Sequence, residues 1–342
     1  MTFNNDIKRI GFACKWAEIN NKGEIASTEG LNTGGTTYAW AKRQTSTRIV
    51  EEKLIEVAKR NISNTHNLIK KVASLDPSLR MVRITSDMFS FYTMDEYKYF
   101  WKSKDLQNSL ERWMAPIGET ARKNDVRLSF HPDQFVVLAS DREEVVNKSI
   151  EEFEYHVDMA RWMGYGKSFQ DIKINVHISG RQGPNGIKRV LGRLTPEARN
   201  AITIENDEIS WGIDSSLELA DDLALVLDIH HHWVKTGEYI DPNDDRIKRI
   251  IDSWRGVRPV IHYSVSREDG QIERNRNDRH DLQTLLESGY NKQKLRAHSD
   301  YYYNEHMNRW AYGHWDWADM MCESKSKNLA SMKLYDTYKT YV

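Results

Sequence analysis

Residues 223–231 read LALVLDIHH: an apolar run of strand length that stops at Asp228 and sets His231 three residues further on. A run without polar alternation fits a strand covered on both faces, and its polar residues collect at the C-terminal end. Working outward, the same design recurs at residues 8–14, 80–84, 126–131, 172–177, 201–205, 258–262 and 318–323. Between these runs, residues 47–74, 95–123, 141–163, 214–222, 244–254 and 325–341 carry apolar residues at helical spacing, several opening on Asp or Ser as capping residues. About eight strand–helix alternations in one chain predict an α/β fold, a (β/α)8 TIM barrel forming a single domain over residues 1–342. A doubly wound open sheet is the alternative, but no Gly-rich fingerprint follows the first strand. Residues 18–43 and 266–291, polar and charged, read as surface excursions after the first and seventh strands.

The strand ends carry the chemistry. His131, His177, Glu205, Asp228, His262 and Glu323 end six successive runs, His231 follows Asp228, and His298 lies between the last two strands. In a parallel barrel all strand C-termini share one mouth, where catalysis sits. Imidazole nitrogens and carboxylate oxygens are metal ligands, and this mixture suits Zn, Mn or Fe better than Mg alone. Burying so many ionisable groups uncompensated is very unfavourable. Eight candidates imply two or three divalent ions. Taken singly, each has a plainer reading: a satisfied strand-end histidine, Asp228 as a cap, Glu205 as a salt-bridge partner. The joint pattern points to a cluster. His66, His156, His230, His232, His280, His306 and His314 lack this placement and read as structural.

The 342 residues are 39% hydrophobic and carry a net charge of −1, so any nucleic-acid contact must come from a local patch. Two cysteines, Cys14 and Cys322, make no disulfide framework; they read as small buried hydrophobes ending the adjoining first and eighth strands. No stretch approaches the ~20 apolar residues of a membrane helix. The N-terminus has no signal-peptide pattern. The expectation is a cytoplasmic, soluble protein.

With RITSDMF, SFHPDQFVVLAS, NVHISG, ENDE, the Asp-x-x-His of DIHH, IHYS, AHSDYY and ESKSK in this order, the chain resembles the UV-damage endonuclease (UvdE) family over nearly its whole length, and endonuclease IV more distantly. The resemblance implies a barrel whose metal cluster, often manganese (Zn, Co or Mg being alternatives), nicks damaged double-stranded DNA 5′ to a UV photoproduct. Abasic sites are a further candidate lesion, and a monomer is the family-level expectation. It places one ion on His131, His177 and Glu205, a second on bridging Glu205 with Asp228, His262 and Glu323, and a third on His231 and His298. Glu205, Glu323 and His231 are the expected catalytic groups, acting on a metal-activated hydroxide without a covalent intermediate. Gln134 and Phe135 stand at the family's lesion-probe position, where a ring and an amide can fill the gap left by extruded bases. Phe12 matches an aromatic near the first strand. Arg181, Lys188, Arg189, Arg193, Lys325 and Lys327 are candidate phosphate contacts. Three departures stand out: Val260 where some relatives carry Lys, Arg296 where endonuclease IV has an Asp before the third-metal His, and Trp16 where a polar residue is expected. Two rival readings are a metal-dependent sugar isomerase or epimerase on the same barrel, and a lesion-binding protein without catalysis.

Overall fold

The computed structural model describes residues 3–267 and 278–341. Eight parallel strands close into a barrel: β1 (Ile10–Ala13), β2 (Met81–Arg83), β3 (Arg127–Phe130), β4 (Lys173–His177), β5 (Ile202–Glu205), β6 (Ala224–Asp228), β7 (Val260–Tyr263) and β8 (Asp319–Cys322). Each strand pairs with its neighbours in sequence, and β8 returns to β1 with Phe12 opposite Cys322. Seven of the eight expected runs contain one of these strands, and β7 runs one residue beyond the expected 258–262, to Tyr263. The expectation that none alternates is corrected at β4, Lys-Ile-Asn-Val-His. A side-chain period of two puts Lys173, Asn175 and His177 on one face, and that face is the barrel interior.

The helices form the outer layer. Thr47–Ala73 buries Val50, Leu54, Val57, Leu68 and Val72 at helical spacing and packs against Lys104–Lys123. The expected helix at 95–123 is two, Lys98–Trp101 and Lys104–Lys123, parted where Ser103 takes an extended conformation. Residues 214–222 hold only the turn Ile213–Ser216 and the 3-10 turn Leu217–Leu219. The basic segment after β4 contains a helix, Gly183–Leu191, with Pro184 in its first turn. Gly180, at φ +99°, lets this segment lie on the loop after β3, where a Cβ would meet the Ala139 carbonyl oxygen at 2.4 Å.

Residues 18–43 are not a bare loop. A small hairpin pairs Ala17–Ile19 with Ile25–Ser27, and the turn Tyr38–Ala41 follows. Buried Asn61 pins this excursion, donating to the Gly34 carbonyl at 3.1 Å and the Met88 carbonyl at 3.0 Å. Of residues 266–291, positions 268–277 lie outside the described residues. The remainder includes Leu282–Glu287, capped by Asp281.

The floor of the barrel is closed by charge. Wholly buried Asp319 accepts from the Arg9 backbone N–H, Arg127 Nη1 and Arg258 Nε, each at 2.8 Å. Arg9 also pairs with Asp125 at 2.6 Å. Removing one partner of such a buried pair costs about 3–5 kcal/mol. This end therefore serves stability, and the opposite end is left for chemistry.

Candidate metal centre

The C-terminal ends of β3 to β8 bring His131, His177, Glu205, Asp228, His262 and Glu323 to one mouth. Cross-strand register helps, setting His177 opposite Glu205 and Asp228 opposite His262. Three groups have ligand atoms within 4.8 Å of one another: His131–His177–Glu205, Glu205–Asp228–His262 and His131–His262–Glu323. Glu205 is common to the first two. Its Oε2 lies 3.1 Å from His262 Nδ1 and 3.4 Å from His131 Nε2, and its Oε1 lies 3.3 Å from His231 Nδ1.

The polar atoms here are poorly satisfied by protein. His177 Nδ1, Glu205 Oε1, Asp228 Oδ2 and His262 Nδ1 are buried with no hydrogen-bond partner. Unpaired buried groups cost free energy, and four converging on one place fit divalent ions. The outer contacts fit as well. His131 Nδ1 donates to its neighbour's carbonyl, Pro132 O, at 2.9 Å, which leaves Nε2 as the ligand atom.

Asp228 is both a cap and a candidate ligand. Its Oδ1 accepts from the His231 backbone N–H at 2.7 Å, starting the helix Ile229–Thr236, while Oδ2 stays open. Burial pushes the Asp228 carboxyl well above the usual range, with Glu205 and Glu323 adding to it. Glu205 goes the other way: burial opposes its charge, but the neighbouring His262, His177, His131 and His231 hold it well below that range. Glu323 is likewise held low against burial, by Arg83 and His262. Burial takes His131 down to about 4.

His231 and His298 stand outside the three groups among the described residues. His231 faces Glu205 through Nδ1, and its Nε2 lies 3.7 Å from Glu208 Oε2. His298 Nδ1 donates to the Glu323 carbonyl at 2.7 Å. Gln134 is exposed, and Phe135 is 65% exposed rather than packed under Val136. Phe12 is buried between the barrel wall and its surroundings, edge-on to Trp16 at 5.7 Å between ring centres, so its ring reaches neither the cluster nor solvent. Arg181 and Lys188 are exposed beside Asp141 (3.1 Å) and Asp222 (3.8 Å). Lys325 is exposed and Lys327 half-buried, and Arg193 pairs with Glu143 at 2.9 Å. Cys322 is buried, whereas Cys14 is partly exposed.

Four residues that the strand-end pattern does not single out belong to the site. Arg83, ending β2, pairs with Glu323 Oε1. Asn175 donates to Glu205 Oε2 and accepts from Thr203 Oγ1 at 2.7 Å, which fixes the carboxylate. Lys173 Nζ lies 2.9 Å from His262 Nε2, and burial lowers its pKa to about 7. Glu208 links His231 to Arg296 through a 2.9 Å ion pair. The alternation of β4 was the available signal for Lys173 and Asn175.

Known proteins share this architecture and sequence. The chain is 27% identical to a UV DNA damage endonuclease of Bacillus velezensis over 248 residues, 69% of this chain and 73% of the relative. It is 28% identical to a UV-damage endonuclease of Schizosaccharomyces pombe over 240 residues, 66% of this chain but only 39% of that longer protein. The fold superposes on the crystal structure of SacUVDE with a TM-score of 0.71 at 22% identity, covering 97% of this chain and 98% of that one. It superposes on endonuclease IV from Thermus thermophilus with a TM-score of 0.53 at 13% identity, covering 81% and 94%. At these identities the two superpositions speak for the fold. The family model described as UV-endonuclease UvdE matches residues 8–342, and the chain belongs to that family.

Proposed function

We propose that this protein is a UV-damage DNA endonuclease that hydrolyses the phosphodiester 5′ to a photoproduct in duplex DNA, using more than one divalent ion, manganese foremost. The observation that carries this reading is Glu205: wholly buried, common to two ligand groups at the barrel mouth, with four histidines around its carboxylate. Divalent ions bound there supply a water of lowered pKa and neutralise charge on the reacting phosphate.

The chain's own groups do the rest. Asn175 holds the Glu205 carboxylate, and Arg83 holds that of Glu323. Both acids are thereby oriented toward the space between β3, β7 and β8. The Asp228 cap fixes His231 beside Glu205, where its ring can pass a proton to the leaving oxygen. Exposed Gln134 and Phe135 are placed to enter the gap at a distorted lesion, and Arg181, Lys188 and Lys325 to contact phosphates. On this reading the protein acts as a cytoplasmic monomer.

The test is a labelled duplex carrying one defined photodimer, beside undamaged and abasic duplexes, incubated with metal-loaded protein and with Glu205→Gln. The expected result is metal-dependent incision 5′ to the photodimer, lost in the variant. No incision with Mn, Zn, Co or Mg confirmed bound would overturn the reading.

A further inference from the structure

Beyond the ligand groups, the mouth opens on one side into a cavity of about 720 Å³ lined by Glu208, Ile209, Lys235, Lys292, Gln293 and Arg296. It adjoins the centre directly, because Glu208 pairs with Arg296 through Oε1 and faces His231 through Oε2.

The charges of this cavity are largely unspent. Arg296 is the cation with an acidic partner. Lys235 Nζ donates to the Ile209 and Ser210 carbonyls at 3.0 and 3.4 Å, and Lys292 Nζ donates to the Lys235 carbonyl at 2.6 Å. Among the described residues, neither lysine has a carboxylate in ion-pair range. These bonds hold both ammonium groups at the cavity without neutralising them. Ile209, 68% exposed, adds an apolar surface among them.

The cavity beside Phe135 has the opposite character. Asp95, Glu96, Glu151 and Glu152 line it with a single cation, Lys148. Even with Lys98 on Asp95 and Glu151, and Lys42 on Glu96, the acids are in excess there. A phosphate is therefore favoured in the first cavity and not in the second, where Phe135 offers a ring to bases rather than a charge to the backbone.

We infer that the Lys235–Lys292–Arg296 cavity is a subsite for backbone phosphates of the bound nucleic-acid strand next to the reacting centre, with Ile209 against the adjoining sugar or base. This rests on the DNA-directed reading above. The subsite places part of the strand beside the segments that follow β5 and β6, and the two lysines act through charge rather than through bond breaking.

The experiment measures binding of the metal-loaded full chain to an undamaged duplex by fluorescence anisotropy across a salt series, with the duplex checked for intactness afterwards. Each lost phosphate contact reduces the slope of log K against log salt by about 0.9. Lys292→Gln is expected to flatten the slope by about one such step, and Lys235→Gln with Lys292→Gln by about two. Lys148→Gln, in the acidic cavity, should leave it unchanged. Thermal melts confirm that each variant is folded, and Lys292→Gln alone carries the test if the double variant is not. Wild-type binding with an unchanged slope in Lys292→Gln, or equal flattening by Lys148→Gln, overturns the subsite alone. A wild type that binds no DNA overturns it together with the nuclease reading.

Discussion

Lys173 Nζ lies 2.9 Å from His262 Nε2 inside the barrel, although the two residues come from strands three apart in the closed order. If His262 uses Nδ1 as a ligand, Nε2 carries the proton and must donate, so Lys173 must accept as a neutral amine. A lysine whose pKa burial lowers to about 7 can do so. Lys173→Met should weaken metal binding about 10- to 100-fold in a chelator competition. Lys173→Arg should not restore it, because a guanidinium has no acceptor. Wild-type affinity in Lys173→Arg would refute the accepting role.

Metal should stabilise the fold through Glu205. Saturation at 100 times Kd adds about 2.7 kcal/mol, which a thermal melt with and without Mn or Zn will show as a rise in Tm. Glu205→Gln should abolish most of that rise. A variant that keeps the full rise would place the ions elsewhere.

Arg83→Met leaves the Glu323 carboxylate without its cation in a nearly buried setting. We expect a loss of about 3–5 kcal/mol in urea unfolding of the metal-free protein. Added metal should recover part of it, since an ion at the His131–His262–Glu323 group replaces the missing charge.

Acid should destabilise the metal-free protein in a defined window. Burial lowers the pKa of His156 and His314 to about 4, below the ordinary 6.5, so these rings stay neutral in the folded state while the unfolded chain takes up protons. Their contribution is complete above pH 6.5 and is lost as pH falls from there toward 4, at up to about 1.4 kcal/mol per pH unit for each ring. His314→Gln should flatten the fall in urea-derived stability between pH 6.5 and 4. An unaltered slope would mean that His314 is already protonated in the folded state.

Phe135→Ala removes an exposed ring and should leave stability within about 0.5 kcal/mol of wild type. If the ring fills a lesion gap, its stacking is worth about 1–3 kcal/mol, so the ratio of affinities for photodimer and undamaged duplex should fall about 5- to 150-fold. Equal loss on both duplexes would make Phe135 a general contact.

The barrel and the gathering of His131, His177, Glu205, Asp228, His262 and Glu323 at one mouth are legible because β-strands with buried faces announce themselves as apolar runs, and their polar ends then stand out. Asp228 shows why the residues also admit plainer readings: one oxygen caps a helix while the other faces the cluster. What escaped was of three kinds. Lys173 and Arg83 are types normally found in solvent, and only the closed barrel shows that their side chains turn inward onto His262 and Glu323. Phe12 sits one position from the mouth in sequence, but its register with Val82 and Cys322 turns its ring away from the interior face of Arg83 and His262, towards the helix layer and Trp16. Helices such as Gly183–Leu191 and Glu305–His314 are short, and tertiary packing rather than local propensity makes them helical.

The β1–β8 seam has a consequence for the order of assembly in the cell. Synthesis proceeds from the N-terminus, and β1, with Arg9 at its foot, emerges some three hundred residues before Asp319 and Glu323. Until that last strand arrives, the Arg9, Arg127 and Arg258 guanidiniums lack their shared acid, and His131 and His262 lack the Glu323 carboxylate. A barrel lacking β8 leaves the edges of β1 and β7 unpaired, and the His131–His262–Glu323 group can be completed only once β8 is in place.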